Sequence, residues 1–186
     1  MYFQFSDYYK RDVYFVFSEE KNMIDKDILE NGKKIDENIV LIFEIDKIDK
    51  YINSYDLLPT YTVPLVSNRF KNVFNNLSND IQFIKATVAD KNGNENNNFY
   101  CMNILNILPV FDKIKSKYEY KKYGDAEILK IKSLFIIKNS LKDHSIIRMK
   151  EHLSYIIVTE EFKNCCTREK LTGINFLEEG FSIYNE

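Results

Sequence analysis

The sequence predicts an α+β fold, mostly strands in a mixed or antiparallel sheet with short packing helices. Three observations carry this. Residues that favour strands gather in short apolar runs separated by charged or turn residues. Two stretches show helical apolar spacing behind a Ser or Thr cap. Those two stretches echo each other, helix then strand, so the expected fold contains a duplicated helix–strand unit.

In the first copy, Val66, Phe70, Val73, Phe74 and Leu77 fall on one helical face, and Ser67 stands where a cap is needed. A cap hydroxyl accepts a hydrogen bond from a backbone N–H that has no partner inside the helix. In the second copy, Val158, Phe162, Cys165 and Cys166 take the same stripe behind Thr159. Gly173 is read as the left-handed residue that ends the second helix, since it has no Cβ to clash. Each helix leads to a short apolar strand: Ile81-Gln82-Phe83-Ile84 in one copy, Ile174-Asn175-Phe176-Leu177 in the other.

The remaining elements follow in order. Residues 1–5 are short and aromatic, and residues 13–17 are a strand candidate. A charged stretch, 19–34, holds a helical turn at Asp27-Ile28-Leu29, broken at Gly32. Residues 39–45 are almost continuously apolar, as in a strand covered on both faces. Ile45, Ile48, Ile52 and Tyr55 recur at helical spacing, so 46–54 reads as a short helix with Asp46, Lys47, Asp49 and Lys50 opposite.

After the first repeat, 81–89 is a strand, 91–98 a polar loop with an Asn-Gly turn, and 99–102 the returning strand. Asn103 and Asn106 lie in an apolar segment, so their amides are expected to bond to backbone, because an unpaired buried amide is costly. Residues 111–122 mix Lys and Tyr without a clear period, and Gly124 marks a turn. Residues 127–137 read as one long strand, 138–143 as a turn or short helix, and 146–149 as a small strand before the second copy. The chain is read as one domain, 1–186. An internal boundary near 53–59 would set an N-terminal subdomain, 1–55, apart from a repeat-bearing body, 56–186.

At 186 residues, 45% hydrophobic and 15% aromatic, the chain can bury a real core. The net charge of -2 and the lack of a dense Lys/Arg block argue against a nucleic-acid partner. No apolar run is long enough to span a bilayer, and the N-terminus lacks the pattern of a secretion signal. Three cysteines without framework spacing suit a reducing, cytoplasmic setting.

The search for chemistry returns little. The five glycines are scattered, so no phosphate-binding loop forms, and no Gly-x-Ser-x-Gly occurs. His144 and His152 are eight apart, and Cys165-Cys166 are adjacent; neither pair has zinc-ligand spacing. No catalytic, cofactor or metal residue is assigned. A histidine beside a carboxylate, His144 with Asp143 or His152 with Glu151, is the one general-base arrangement to test. Asp112 with Glu119-Tyr120-Lys121 is a loose match to the acids and lysine of metal-dependent nucleases, without their strand context. Tyr118 and Tyr120, among lysines, suit a protein interface, a platform for stacked bases of a single strand, or an edge folded over the sheet. Arg148 in an apolar strand is read as one half of a buried structural ion pair rather than an interface anchor.

Several stretches together resemble the immunity protein 11 type family of bacterial polymorphic toxin systems, first catalogued as a domain of unknown function. They are Pro64-Leu65-Val66-Ser67 with Arg69-Phe70, Ile81-Gln82-Phe83, residues 100–106, Ser116-Lys117-Tyr118, Ile146-Ile147-Arg148-Met149, residues 157–162 and Gly173-Ile174-Asn175-Phe176. The resemblance covers about residues 55–178. It implies a cytoplasmic protein that binds a cognate toxin and neutralises it by occlusion, without catalysis or cofactor. Against a basic toxin, the acidic pairs Asp46 with Asp49 and Glu178 with Glu179 would steer association. The alternatives are a scaffolding module unrelated to toxins, and an enzyme built on His144 or His152. Oligomeric state is left open.

Overall fold

Each helical stretch of the sequence sits between two strands that share a neighbour, and that arrangement sets the architecture. The computed structural model describes residues 1–61, 63–124 and 126–181. Its elements are β1 (Tyr2–Asp7), β2 (Val16–Phe17), α1 (Lys26–Glu30), β3 (Leu41–Ile45), β4 (Leu57–Leu58), β5 (Leu65–Ser67), α2 (Asn68–Val73), β6 (Ile81–Asp90) and β7 (Glu95–Ile104). They continue with β8 (Ile107–Leu108), β9 (Lys117–Tyr123), β10 (Ala126–Ser133), β11 (Ile146–Met149), β12 (Ile156–Thr159), α3 (Glu160–Arg168) and β13 (Ile174–Glu178). The class is α+β. A six-stranded mixed sheet runs β2-β3-β6-β7-β5-β4, a five-stranded one β13-β1-β12-β11-β8, and β9–β10 form a separate hairpin.

The two helix-bearing stretches take matching places. β5, α2 and β6 straddle β7, which is antiparallel to both strands. β12, α3 and β13 straddle β1, again antiparallel to both. The registers agree: Cys101 of β7 lies between Leu65 and Ile84, as Gln4 of β1 lies between Ile157 and Leu177. Outside them, Leu57 of β4 faces Val66 as Ile146 of β11 faces Val158. The central strands differ in origin, since β7 follows β6 directly and β1 begins the chain.

The caps form as the sequence predicts. The Ser67 hydroxyl accepts from Phe70 N–H, and the Thr159 hydroxyl from Phe162 N–H. Both helices pack into the core between the sheets, where Phe74 and Phe162 stack with centroids 4.2 Å apart. Phe3, Phe5, Val66, Met102 and Val158 complete this layer. The other face of the six-stranded sheet (Leu65, Ile84, Cys101, Phe43) packs under residues 9–52. The other face of the five-stranded sheet (Ile147, Met149, Ile157) packs under Leu129 and Ile131 of the hairpin.

Several local expectations change. Residues 46–54 hold only a 3-10 turn, Ile52–Ser54, preceded by a turn in which the Asp49 carboxylate accepts from Tyr51 N–H. α2 ends at Val73, short of Leu77. α3 ends at Arg168, and the first left-handed residue after it is Lys170 (φ 52°), three residues ahead of Gly173. Gly173 has a different duty: a Cβ there would sit 2.5 Å from the Leu57 carbonyl oxygen, at φ +79°. The polar loop shrinks to residues 91–94, and the Asn-rich run belongs to β7. Thr87 Oγ1 donates to Asn97, and Asn96 and Asn98 donate to Asn53 Oδ1. The long strand at 127–137 breaks at Ser133, and beyond it a single bridge joins Phe111 to Ile136. Asn103 and Asn106 do bond to backbone, donating to the Lys33 and Asn79 carbonyls.

The first 55 residues are spread over the whole molecule. β1 lies inside the five-stranded sheet, and β3 runs parallel to β6 in the other.

Candidate partner-binding surface

Asp46 and Asp49 follow β3 on the six-stranded sheet, and both are engaged. Arg11 donates to both Asp46 oxygens at 3.0–3.1 Å and to Asp49 Oδ2 at 3.0 Å. Tyr9 donates its hydroxyl to Asp49 as well. Burial pushes the Asp49 carboxyl up, but the bonds from Arg11, Tyr51 and Tyr9 outweigh it and hold the group below its usual value. Two carboxylates therefore share one guanidinium, which offsets half of their charge.

Glu178 and Glu179 lie at the end of β13. Glu178 is exposed, opposite Phe3. Glu179 is half-buried, and its Oε1 accepts from Ile136 N–H at 2.8 Å. A shallow niche joins both to Ile131 and Lys132 of β10, Tyr155 and the exposed Phe181. Tyr118 and Tyr120 lie on β9 opposite Ile131 and Leu129. Tyr118 is half-buried, edge-on to Phe111 at 5.1 Å, and Tyr120 is half-exposed beside it. The fold thus brings Tyr118, Tyr120, Glu178 and Glu179 to one side of the molecule. Asp46 and Asp49 belong to the other sheet.

The histidines divide. His144 Nδ1 is 2.7 Å from Asp80 Oδ1, and Ser145 N–H donates to Asp80 Oδ2. Asp80 precedes β6 and His144 precedes β11, so this is a clasp between the two sheets. His152 Nδ1 lies 2.8 Å from Ser154 Oγ across a two-residue turn. Burial holds its imidazole below the usual value, against a backbone bond that raises it. Among the described residues no hydrogen bond or ion pair joins Asp143 to His144 or Glu151 to His152. Asp112 closes its own turn through Ile114 and Lys115 N–H, and Glu119 pairs with Lys121 and Lys132, so they form no joint acid site. Burial raises the Cys101 and Cys166 thiols to about 12. Among the described residues no three His, Cys, Asp or Glu side chains gather as metal ligands. Arg148 is buried, with Nη1 donating to the Leu153 carbonyl.

Sequence reasoning missed Asp56, the second clasp. It is buried and accepts from Ser67 Oγ at 2.6 Å, Thr172 N–H at 2.8 Å and Thr172 Oγ1 at 3.1 Å. Arg69 stands 3.5 Å away and donates to the Glu169 and Lys170 carbonyls past the end of α3. No local pattern marks Asp56, because its partners come from 11 and 116 residues away. It also missed Lys130 and Lys132, which join the lysines of β9 once β10 pairs with it.

No helix among the described residues is long and apolar enough to cross a membrane. Comparison with curated proteins finds no match. The model of the immunity protein family Imm11 matches residues 6–180, nearly the whole chain and well beyond the segment whose motifs first pointed there. The chain belongs to the immunity protein family Imm11.

Proposed function

We propose that this chain is a cytoplasmic immunity protein that binds a cognate toxin of a polymorphic toxin system and neutralises it by occlusion. The family match over residues 6–180 carries the reading. Binding by occlusion needs a surface of exposed aromatic and apolar groups with a polar rim, and it needs no reacting groups. Tyr120, Ile128 and Phe181, each about half exposed, supply such groups on the hairpin side, with Tyr118, Glu178 and Glu179 among them. Asp46 and Asp49 then act in the stability of the 9–51 segment more than in steering. The matching registers around β7 and β1, and the matching caps at Ser67 and Thr159, support an origin by internal duplication, with the N-terminal strand completing the second unit.

The test is co-expression with the C-terminal domain encoded by the neighbouring upstream gene. Growth rescue and a purified complex are expected. A toxic neighbour with neither rescue nor complex would refute that pairing and favour a scaffolding role.

A further inference from the structure

We propose that the outer edge of β13 is a self-association site, where a second copy of this chain adds its own β13 antiparallel across a two-fold axis. Among the described residues β13 ends the five-stranded sheet and pairs only with β1. The backbone bonds fix which groups face outward. Tyr8 N–H donates to the Gly173 carbonyl on the β1 side, while the Thr172 carbonyl accepts from Asp56 and Leu57 N–H on the other side. Backbone groups alternate along a strand, so Asn175 and Leu177 bond to β1, and Ile174, Phe176 and Glu178 turn their N–H groups outward. β4 closes this edge before Ile174, and the turn in which Phe181 N–H donates to the Glu178 carbonyl closes it after. The five residues of β13 lie between.

Open edges template pairing, and folds blunt them with very short strands or with lysines. β2, β4 and β8, at the ends of the sheets, are two residues each. β9 carries Lys117, Lys121 and Lys122, and β10 carries Lys130 and Lys132. β13 has neither device: it keeps an unbroken register with β1, holds no Lys or Pro, and has one charge, Glu178, at its end.

The occupant follows from self-complementarity, which a two-fold interface requires. An antiparallel pair centred on Phe176 sets Phe176 against its own copy and Ile174 against Glu178 of the second copy, so no like charges stand opposite. The two ends of the strand also carry opposite charge. Arg168 and Glu169 pair with each other at 3.2 Å, and the exposed Lys170 follows them into the strand. Ile174 and Phe176 turn to the layer that holds α3, so Glu178, two residues on, shares that face with the turn after α3. The antiparallel arrangement therefore brings Lys170 of one copy toward Glu178 of the other, and a parallel one would align like with like. β9 and β10 pack on the opposite face of the sheet, so a toxin held at Tyr120 and Ile128 approaches a different surface.

The experiment uses the full chain alone over a range of concentrations, with sedimentation for mass and amide exchange by NMR for the edge. The mass is expected to rise to that of a pair with concentration. The Ile174 and Phe176 amides should slow with it, while the Asn175 and Leu177 amides stay slow throughout. Glu178→Lys should weaken the pair by roughly tenfold, since two symmetric contacts turn from attraction to repulsion, and Lys170→Glu added to it should restore the affinity. The exchange measurement needs no variant, so it stands if a substitution disturbs the turn. A monomer at every concentration overturns the proposal, as does a dimer in which the Ile174 and Phe176 amides stay fast. Protection that does not change on dilution would show that the chain covers its own edge. Protection that appears only with the C-terminal domain encoded by the neighbouring upstream gene would assign the edge to a strand of that protein. Either result also overturns it.

Discussion

Asp56 shows what one buried carboxylate can hold together. It accepts from a helix cap, from a backbone amide and from a hydroxyl of the opposite unit, with Arg69 closing the set. In Asp56→Ala the Thr172 N–H and the Ser67 hydroxyl lose a charged acceptor at part-buried sites, and each such hydrogen bond contributes roughly 1.5–3 kcal/mol. The expected loss of stability is about 3 kcal/mol, with Asp56→Asn between it and wild type, read from urea unfolding. A loss under about 1 kcal/mol would mean that water replaces the carboxylate at little cost. Asp90 gives a prediction of a different kind. The Asn94 side chain, aided by Ile48, Asn94 and Asn92 N–H groups and opposed by slight desolvation, lowers its carboxyl from 3.8 to about 2. The folded value is depressed, so its stabilising effect is present above about pH 4 and lost as pH falls through about 2. Asp90→Asn should therefore flatten that part of an acid unfolding curve; an unchanged curve would remove Asp90 from the acid response.

At the scale of elements, what the sequence revealed was what is local. Ser67 and Thr159 cap partners three residues away, so spacing alone located both helix starts. The apolar stripe found Phe70, Phe74, Phe162 and Cys166, all buried. It overran the end of α2, because Leu77 stays partly buried in the turns that follow and keeps the spacing without the helix. The hairpin was half legible: Gly124 marked its turn, but the lysines of β9 hid the strand period. Tyr118 and Tyr120 alternate only when their partners Ile131 and Leu129 are known. Thr159→Ala should cost about 1 kcal/mol, the usual value of a lost cap. Phe162→Ala should cost more, about 3–5 kcal/mol, because Phe5, Phe70 and Phe74 all pack on that ring. Chemical denaturation of both variants checks the order; equal losses would mean that α3 contributes its terminus and not its core face.

For the whole molecule, the question is whether residues 56–186 stand alone. The sequence, which shows no linker, places any internal boundary near 53–59, between a small N-terminal part and the stretch that carries both helix–strand units. The strand pairing gives a physical reason to expect otherwise. Removing residues 1–55 takes β1 from between β12 and β13, which do not pair with each other, and strips β3 from the edge of β6. It also removes Phe3, Phe5, Phe15, Leu29, Leu41 and Phe43, all buried, from two of the three clusters. At about 2 kcal/mol each, their burial contributes roughly 12 kcal/mol, the size of a whole domain's net stability. The fragment 56–186 should then lack a cooperative unfolding transition and bind hydrophobic dyes, and a peptide of residues 1–7 should not restore it, because β3 and the other residues of 9–52 that cover the six-stranded sheet would still be missing. A sharp thermal transition in the fragment would show that the repeat-bearing body carries its own core, and that β1 and β3 are additions to it.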